Sequence, residues 1–335
     1  MKASPAKRRK ESTGSLRKTV SFQPQTEISG ATTIFWRISM NQIKIGTIVQ
    51  ANEKAASYIE QIIPYGFECF TFTYGGGKFN GFEPEKLADA VMPVLREKQI
   101  EVSNISVFGN MLEHTEEAEH TRQCFKHAID TVALFGSNLV TGFTGRETGK
   151  SIPDSIGRFR EIWLPLTEYA ASKGVRIAFE NCLMGGNWNT GNWNIAINPD
   201  AWELMFDAVP LDNIGLEWEP CHQMVQLIDP LPQIREWGKR FFHIHGKDAT
   251  IRRDVIAKHG FLGREAACWH RTPGFGDSNW TDIISELRLA SYRGNIDIEG
   301  WHDPVYRGDL EMTGQVAALN YLKKCRGDSF IANPV

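Results

Sequence analysis

Eight short apolar segments, each followed by a longer amphipathic one, constrain the fold of this chain more than any other feature. The short segments are rich in β-branched and aromatic residues, which is typical of strands, and the segments between them space apolar residues as helices do. Strands that alternate with helices form parallel sheets. The predicted strands span residues 43–49, 69–74, 101–108, 138–143, 176–181, 214–219, 241–246 and 295–300.

Eight strand–helix units within residues 40–327 predict an α/β fold with a single domain, a closed (β/α)₈ TIM barrel. A doubly wound open sheet is the alternative. It is disfavoured because no GxGxxG motif follows the first predicted strand.

The two ends of the chain differ from this pattern. Residues 1–39 hold eight Lys or Arg and two Asp or Glu, whereas the remaining residues hold 29 and 38. Because this head also lacks apolar periodicity, we expect a disordered basic tail, either an upstream extension or a cloning remnant. Residues 328–335 are expected to be a C-terminal tail. The acidic remainder gives no reason to expect a nucleic-acid partner.

Hydropathy and cysteine usage indicate where the protein works. The longest apolar runs fall short of 18 residues, so we expect no membrane span. The six cysteines are scattered without CxxC spacing, which favours reduced thiols over a disulfide framework. The expected location is cytoplasmic.

Ionisable side chains stand at the ends of predicted strands five to eight: Glu180, Glu219, His245 and Glu299. In a TIM barrel the C-terminal strand ends meet at one rim, where active sites are built. Solvated strand ends are the simpler interpretation, but three carboxylates packed together without a cation would repel one another. One nitrogen and several oxygens suit one divalent ion, Mn²⁺ first, then Mg²⁺ or Co²⁺, with Zn²⁺ as a further option.

The segment FFHIHGKD, residues 241–248, places two histidines on one face of a strand. His245 is nearer the rim and is the predicted ligand. His243 lies about 7 Å deeper on the same face and is expected to support or pack beneath it. Lys247 and Asp248 follow just past the rim, where we expect them to meet a substrate hydroxyl or carbonyl.

These strand ends resemble those of the xylose-isomerase-like TIM-barrel superfamily, which contains sugar-phosphate isomerases, ketose 3-epimerases and, more distantly, endonuclease IV. The resemblance covers roughly residues 41–327. It rests on the segments IAFEN, GLEWEPCH, FHIHGKD, TPGFGDSNW and IDIEGWHDP.

The resemblance implies one divalent metal bound by Glu180, Glu219, His245 and Glu299, with His222 contacting the substrate. The chain departs from the usual D-P-x-H motif of strand six, because Glu219 stands where most members have Asp. The longer side chain shifts the carboxylate by about one C–C bond or permits bidentate binding.

The implied reaction is proton transfer next to a sugar carbonyl through a metal-stabilised enediolate. Glu180 and Glu299 would exchange the proton, and His222, Lys247 and Arg271 would hold substrate oxygens. Apolar walls are expected from three tryptophans of the long loops, Trp188, Trp193 and Trp269.

Alternative functions share this site. The segments WHRTPGFG and EGWHDPVY also resemble the subunits that cleave oxidised C-glycosides, which implies a lyase that eliminates an aglycone from a 3-keto glycoside. An endonuclease IV-like phosphodiesterase is disfavoured, since it needs more rim histidines and a less acidic surface. A non-catalytic barrel that serves as a binding or scaffold protein is a further alternative. The expected partner is a small-molecule sugar, and a homo-oligomer or an accessory subunit is left open.

Overall fold

The protein folds into a closed eight-stranded barrel in a computed structural model that describes residues 42–334. The predicted tail at residues 1–39 lies outside this range. All neighbouring barrel strands are parallel, and the last barrel strand along the chain pairs with the first, which closes the barrel. The predicted TIM barrel is therefore confirmed. Its strands are β1 (Ile45–Gln50), β2 (Cys69–Gly75), β3 (Glu101–Phe108), β4 (Leu139–Gly142), β5 (Arg176–Glu180), β6 (Ile214–Trp218), β7 (Phe241–Gly246) and β10 (Ile296–Ile298).

An extra hairpin separates the last two barrel strands. Residues 249–280 read as a long loop in the sequence, but strands β8 (Asp248–Ile251) and β9 (Cys268–Arg271) pair antiparallel there, around helix α8 (Arg253–His259). The hairpin follows the C-terminal end of β7, so it stands at the rim where the strand ends converge.

Helices surround the barrel, and several begin at side chains that cap them. Thr115, Ser151, Asn198, Asp229 and Asn279 each accept a hydrogen bond from a backbone N–H of the first turn, which satisfies donors that the helix itself leaves free. The remaining helices are α1 (Ala55–Ile62), α2 (Pro84–Lys98), α3 (Glu116–Thr131), α4 (Ile152–Ser172), α5 (Pro199–Ala208), α6 (Pro220–Met224), α7 (Pro230–Trp237), α9 (Trp280–Leu289) and α10 (Glu311–Arg326). Among the helices described, none has both the length and the apolar character that crossing a membrane requires.

The main apolar core lies between the strands and the helices. Trp163 on α4 is fully buried and packs edge-on against Phe125 of α3 and Phe179 of β5, with ring centroids 5.0 and 4.5 Å away. Trp218 of β6 stacks on Phe241 of β7. Such aromatic contacts pack the helices against the outside of the barrel and join neighbouring strands.

The inside of the barrel is polar in its middle layer. Asn104 of β3 donates to Thr71 of β2, and Ser106 lies 2.8 Å from the hydroxyl of Thr141 on β4. TIM barrels usually fill these layers with branched aliphatic side chains. The polar layer here lies beneath the rim that carries the ionisable strand ends.

Arg146 fixes the two loops that follow β4 and β5. Its guanidinium is fully buried and donates four hydrogen bonds to the backbone carbonyls of Lys150, Asn187 and Trp188, at 2.6 to 3.2 Å. A buried arginine with several carbonyl acceptors is a strong tether, because each bond involves a full charge. The loop 181–198 is thereby tied to the loop that follows β4.

Candidate active site

Four side chains from the ends of four barrel strands converge at the C-terminal rim. Glu180 ends β5, Glu219 follows β6, His245 lies near the end of β7, and Glu299 follows β10. One potential ligand atom from each lies within 4.8 Å of the others. Nδ1 of His245 is 3.4 Å from Oε1 of Glu180 and 3.4 Å from Oε2 of Glu299.

This cluster contains buried polar atoms that lack a hydrogen-bond partner within the described part of the chain. They include both carboxylate oxygens of Glu219, Nδ1 of His245 and Oε2 of Glu299. Buried polar atoms are nearly always paired in native proteins, and an unpaired one is costly. A divalent cation would bond these atoms and neutralise the carboxylates. The donor set of oxygens and one imidazole nitrogen therefore fits such an ion.

The carboxyl groups differ strongly in their affinity for protons. Burial raises the pKa of Glu180 and that of Glu219 to about 7. Burial also opposes ionisation of Glu299, but Lys247 and His245 outweigh it and hold the pKa of Glu299 well below its usual value. Near neutral pH the metal-free site therefore combines Glu180 and Glu219, which bind a proton readily, with Glu299, which stays ionised.

Two of the predicted substrate-binding residues lie beside this cluster. Lys247 donates to Oε1 of Glu299 at 2.8 Å and to Nε2 of His222 at 3.5 Å. Nε2 of His222 also lies 2.9 Å from Oε1 of Glu219. Burial and the Lys247 charge lower the pKa of His222 to about 3, so its imidazole is neutral and can accept a hydrogen bond.

The third predicted substrate-binding residue, Arg271, is placed elsewhere. It lies on β9, where its Nε donates to Oδ2 of Asp303 at 3.0 Å, and it does not belong to the residues lining the cavity described below. Asp303 also accepts the backbone N–H of Thr272. Arg271 thus ties the hairpin to the segment that follows β10.

The three tryptophans expected to form apolar walls also lie away from the cavity. Trp188 packs against the main core, and Trp193 lines a separate cleft. Trp269 lies under the guanidinium of Arg252 at 4.5 Å. Their long loops reach the rim, but these indoles face other parts of the molecule.

Asp248 is buried rather than facing a substrate. Its Oδ1 accepts the backbone N–H groups of Ala249 and Ser278, and its Oδ2 accepts Nε1 of Trp280. A Cβ at Gly276 would lie 2.4 Å from its carboxyl carbon, so this glycine allows the loop to approach. The expected substrate contact is replaced by an anchor for the segment before α9.

A cavity of about 630 Å³ opens above the cluster and is lined by Glu180, His245 and Glu299. Its size is in the range of small-molecule sites. His270, Trp301 and His302 also line it, although no periodic pattern of residues indicated them. His270 reaches the cavity from the hairpin, where its ring is 4.9 Å from that of His222. Nδ1 of His302 is 3.0 Å from Oε1 of Glu299.

Glu217 is a further site residue that the sequence interpretation missed. It lies one pleat below Glu219 on β6, fully buried, with Oε1 3.2 Å from Nε2 of His245 and 2.8 Å from Nδ1 of His243. Burial opposes its ionisation, but the two histidines lower its pKa to about 2. The alternation in GLEWE could have indicated it, because residues two apart share a strand face.

The fold and this rim cluster define a TIM barrel with a carboxylate–histidine site at its C-terminal end. A family model described as "Xylose isomerase-like TIM barrel" matches residues 59–325. The chain belongs to this family.

Individual relatives are distant. The protein "Uncharacterized protein YfiH" of Bacillus subtilis (strain 168) is 28% identical over 148 residues, which cover 41% of this chain and 44% of that protein. The match thus spans less than half the length of that relative.

Solved structures share the fold. The 3-keto-D-glucoside 4-epimerase YcjR from E. coli superimposes with a TM-score of 0.63 at 16% identity, over 85% of this chain and 100% of that chain. The D-allulose 3-epimerase from Methylomonas sp. gives a TM-score of 0.61 at 17% identity, over 85% of this chain and 98% of that chain.

Proposed function

We propose that this protein is a divalent-metal-dependent sugar isomerase or epimerase that moves a proton next to a carbonyl. The observation that carries the proposal is the convergence of Glu180, Glu219, His245 and Glu299, with unpaired buried ligand atoms, beneath an open cavity. Two structural neighbours are named as sugar epimerases, which supports the same substrate class.

These four residues would hold one cation, with Mn²⁺, Mg²⁺, Co²⁺ and Zn²⁺ as candidates. When bound, the cation would supply Lewis-acid charge that stabilises an enediolate. Lys247 and His222, both buried beside the cluster and lining the cavity, would bind substrate oxygens. The neutral imidazole of His222 can accept from a hydroxyl, whereas the Lys247 ammonium donates.

Glu180 and Glu299 would act as the proton-transfer pair. A carboxyl with a pKa near 7 can give and take a proton at neutral pH, and Glu180 has that property in the metal-free site. Glu299 is held ionised by Lys247, which donates to it at 2.8 Å, and would begin as the base. Two carboxyls whose environments separate their pKa values are suited to opposite roles.

Among the described residues, 42–334, Lys247 is the only lysine or arginine lining the cavity, and it already contacts Glu299. A phosphoryl group usually requires several donors or a free positive charge. The proposed substrate is therefore a sugar without a phosphate group.

Incubation of the Mn²⁺- or Co²⁺-loaded protein with a panel of ketoses in D₂O tests the proposal. We expect solvent deuterium at the carbon next to the carbonyl of at least one sugar, measured by NMR or mass spectrometry. Glu180→Gln and Glu299→Gln should each lower this exchange at least about 100-fold.

The matched control is Glu97→Gln, which changes an exposed carboxylate on α2 and should leave the exchange unchanged. A protein that retains its metal but exchanges no label with any sugar of the panel would contradict the proposal.

A second candidate, β-elimination from a 3-keto glycoside, is favoured by the apolar part of the cavity. Seven apolar side chains of the described residues line it: Ile48, Phe108, Phe143, Leu183, Met184, Val225 and Trp301. An aryl aglycone would pack against them. Release of a phenol from a 3-keto aryl glucoside, with or without an accessory subunit, would distinguish this reaction from simple epimerisation.

A further inference from the structure

A hydrogen-bonded group of three side chains lies directly below the proposed cation site. Glu217 of β6, His243 of β7 and Asp297 of β10 fill the inside of the barrel and are at most 1% exposed; we call them the floor network. Burying two carboxylates and an imidazole is expensive, and apolar side chains of similar size would often be at least as stable. A role beyond filling space is therefore expected of them.

The floor network is fixed by its own bonds. His243 donates through Nδ1 to Glu217 and through Nε2 to Asp297, both at 2.8 Å. Asp297 also accepts from the hydroxyl of Thr71 at 2.8 Å. A Cβ at residue 46 would lie 2.1 Å from Oδ1 of Asp297, so Gly46 leaves the space that this carboxylate occupies. Glu217 is thus held at one position under the rim.

His245 stands between the floor network and the rim carboxylates. Its Nδ1 faces Glu180 and Glu299 at 3.4 Å, and its Nε2 lies 3.2 Å from Oε1 of Glu217. Neither Nε2 of His245 nor Oε2 of Glu217 has a hydrogen-bond partner of regular geometry among the described residues. The ring nitrogen Nε2 of His245, a potential donor, therefore lies beside the carboxylate of Glu217, an acceptor, and both are buried with unused hydrogen-bonding capacity.

An imidazole that binds a metal through one nitrogen usually donates its other N–H to a carboxylate, which fixes the tautomer and the ring orientation. We propose that Glu217 is the positioning residue that holds His245 with Nε2 protonated and Nδ1 free for the cation. The inference rests on the proposed metal site. His243 and Asp297 act one step further away by holding Glu217.

A second cation within this group is the competing interpretation, because the potential ligand atoms of Glu217, His243 and His245 also lie within 4.8 Å of one another. Both nitrogens of His243 are already bonded to carboxylates at 2.8 Å. A cation would have to break one of these bonds, so the geometry favours the hydrogen-bonded arrangement.

The direct test is the state of the His245 ring in the full-length protein loaded with Zn²⁺, a diamagnetic probe. Long-range ¹H–¹⁵N NMR of the imidazole should show Nδ1 bound to the metal and Nε2 protonated. Coordination through Nε2, or more than one tightly bound Zn²⁺ per chain, would overturn the proposal without any variant being made.

Variants separate positioning from stability. Glu217→Gln keeps the size of the side chain but removes the negative charge that strengthens the contacts of Oε1 with the two histidines. We expect the affinity for Mn²⁺, measured by calorimetry, to fall about 10- to 100-fold. The matched variant Asp297→Asn removes a carboxylate that touches His243 but not His245, and it should lower the affinity less than about threefold.

Melting temperatures are recorded for both variants. If Glu217 only stabilised the fold, the affinity for Mn²⁺ would fall in proportion to the loss of melting temperature, in the same way in both variants. That result would refute the positioning role of Glu217, and so would an unchanged affinity in Glu217→Gln. A wild-type protein that binds no divalent cation would instead refute the metal site and the proposed function together.

Discussion

Glu219→Gln should change the stability of the protein in opposite directions in the absence and presence of a divalent cation. Glu219 is fully buried, and neither of its carboxylate oxygens accepts a hydrogen bond from the described residues. Without a cation its charge is therefore poorly compensated. With a cation the same charge becomes favourable, because it supplies a ligand.

The magnitude follows from the pKa of this carboxyl, which burial raises from 4.5 to about 7. A raised pKa means that the folded state holds its proton more tightly, so the stability present below the unfolded pKa is lost as the pH rises through about 7. At pH 8.5 the ionised group then costs about 3 kcal/mol. Glutamine carries no charge and avoids this cost. In EDTA, without a bound cation, the variant should therefore be more stable than the wild type at pH 8.5, by up to about 3 kcal/mol. Near pH 4 the two metal-free proteins should be about equally stable.

Binding of a divalent cation reverses this order of stability. A cation at 100 times its dissociation constant stabilises the wild type by about 3 kcal/mol, whereas a variant that has lost a ligand gains far less. Urea unfolding with EDTA and with Mn²⁺ measures all four states, and Glu97→Gln serves as the surface control. The reasoning would be refuted if, in EDTA at pH 8.5, the Glu219→Gln protein were less stable than the wild type. Equal stabilisation of both proteins by Mn²⁺ would refute it too.

Three further predictions concern the scaffold. Arg146→Met removes four hydrogen bonds to backbone carbonyls and should lower the free energy of unfolding by about 3 kcal/mol, measured in urea; an unchanged value would show that water replaces the tether. Gly46→Ala would place its Cβ 2.0 Å from the carbonyl oxygen of Cys69, so a loss of about 3 kcal/mol or more is expected in thermal unfolding, and a normal melting temperature would contradict the close packing. Burial raises the pKa of Asp248 from 3.8 to about 6, so the stability it contributes below about pH 4 should be lost as the pH rises through 6. Unfolding of the wild type relative to Asp248→Asn should show a decline of about 3 kcal/mol over this range, and a flat difference would exclude it.

The barrel could be predicted from the sequence because its signals are local and repeated. Each of the eight strands is short and apolar, and Gly174 adopts φ +69° before β5, as a helix end before a strand requires. The rim cluster followed from one rule of geometry, since Glu180 and Glu299 each stand at a strand end.

The remaining site residues depend on contacts that local patterns do not contain. Arg271 carries the right charge at the rim, but its partner Asp303 lies 32 residues away and holds it outside the cavity. His270 enters the cavity because β8 and β9 form a hairpin, and the sequence between them reads as a loop. Glu217 was hidden for a different reason, because an ionisable residue inside a strand was not expected to be buried.

Part of the apolar cavity wall is separate in sequence from the four proposed ligands. The four proposed ligands come from strand ends after residue 179, whereas Ile48, Phe108 and Phe143, on β1, β3 and just after β4, form apolar wall in the first half of the barrel. Exchanging those three side chains would alter which molecules fit while leaving the carboxylates untouched. Substitutions in the first four strands of the barrel would therefore change the substrate range without changing the proposed ligands.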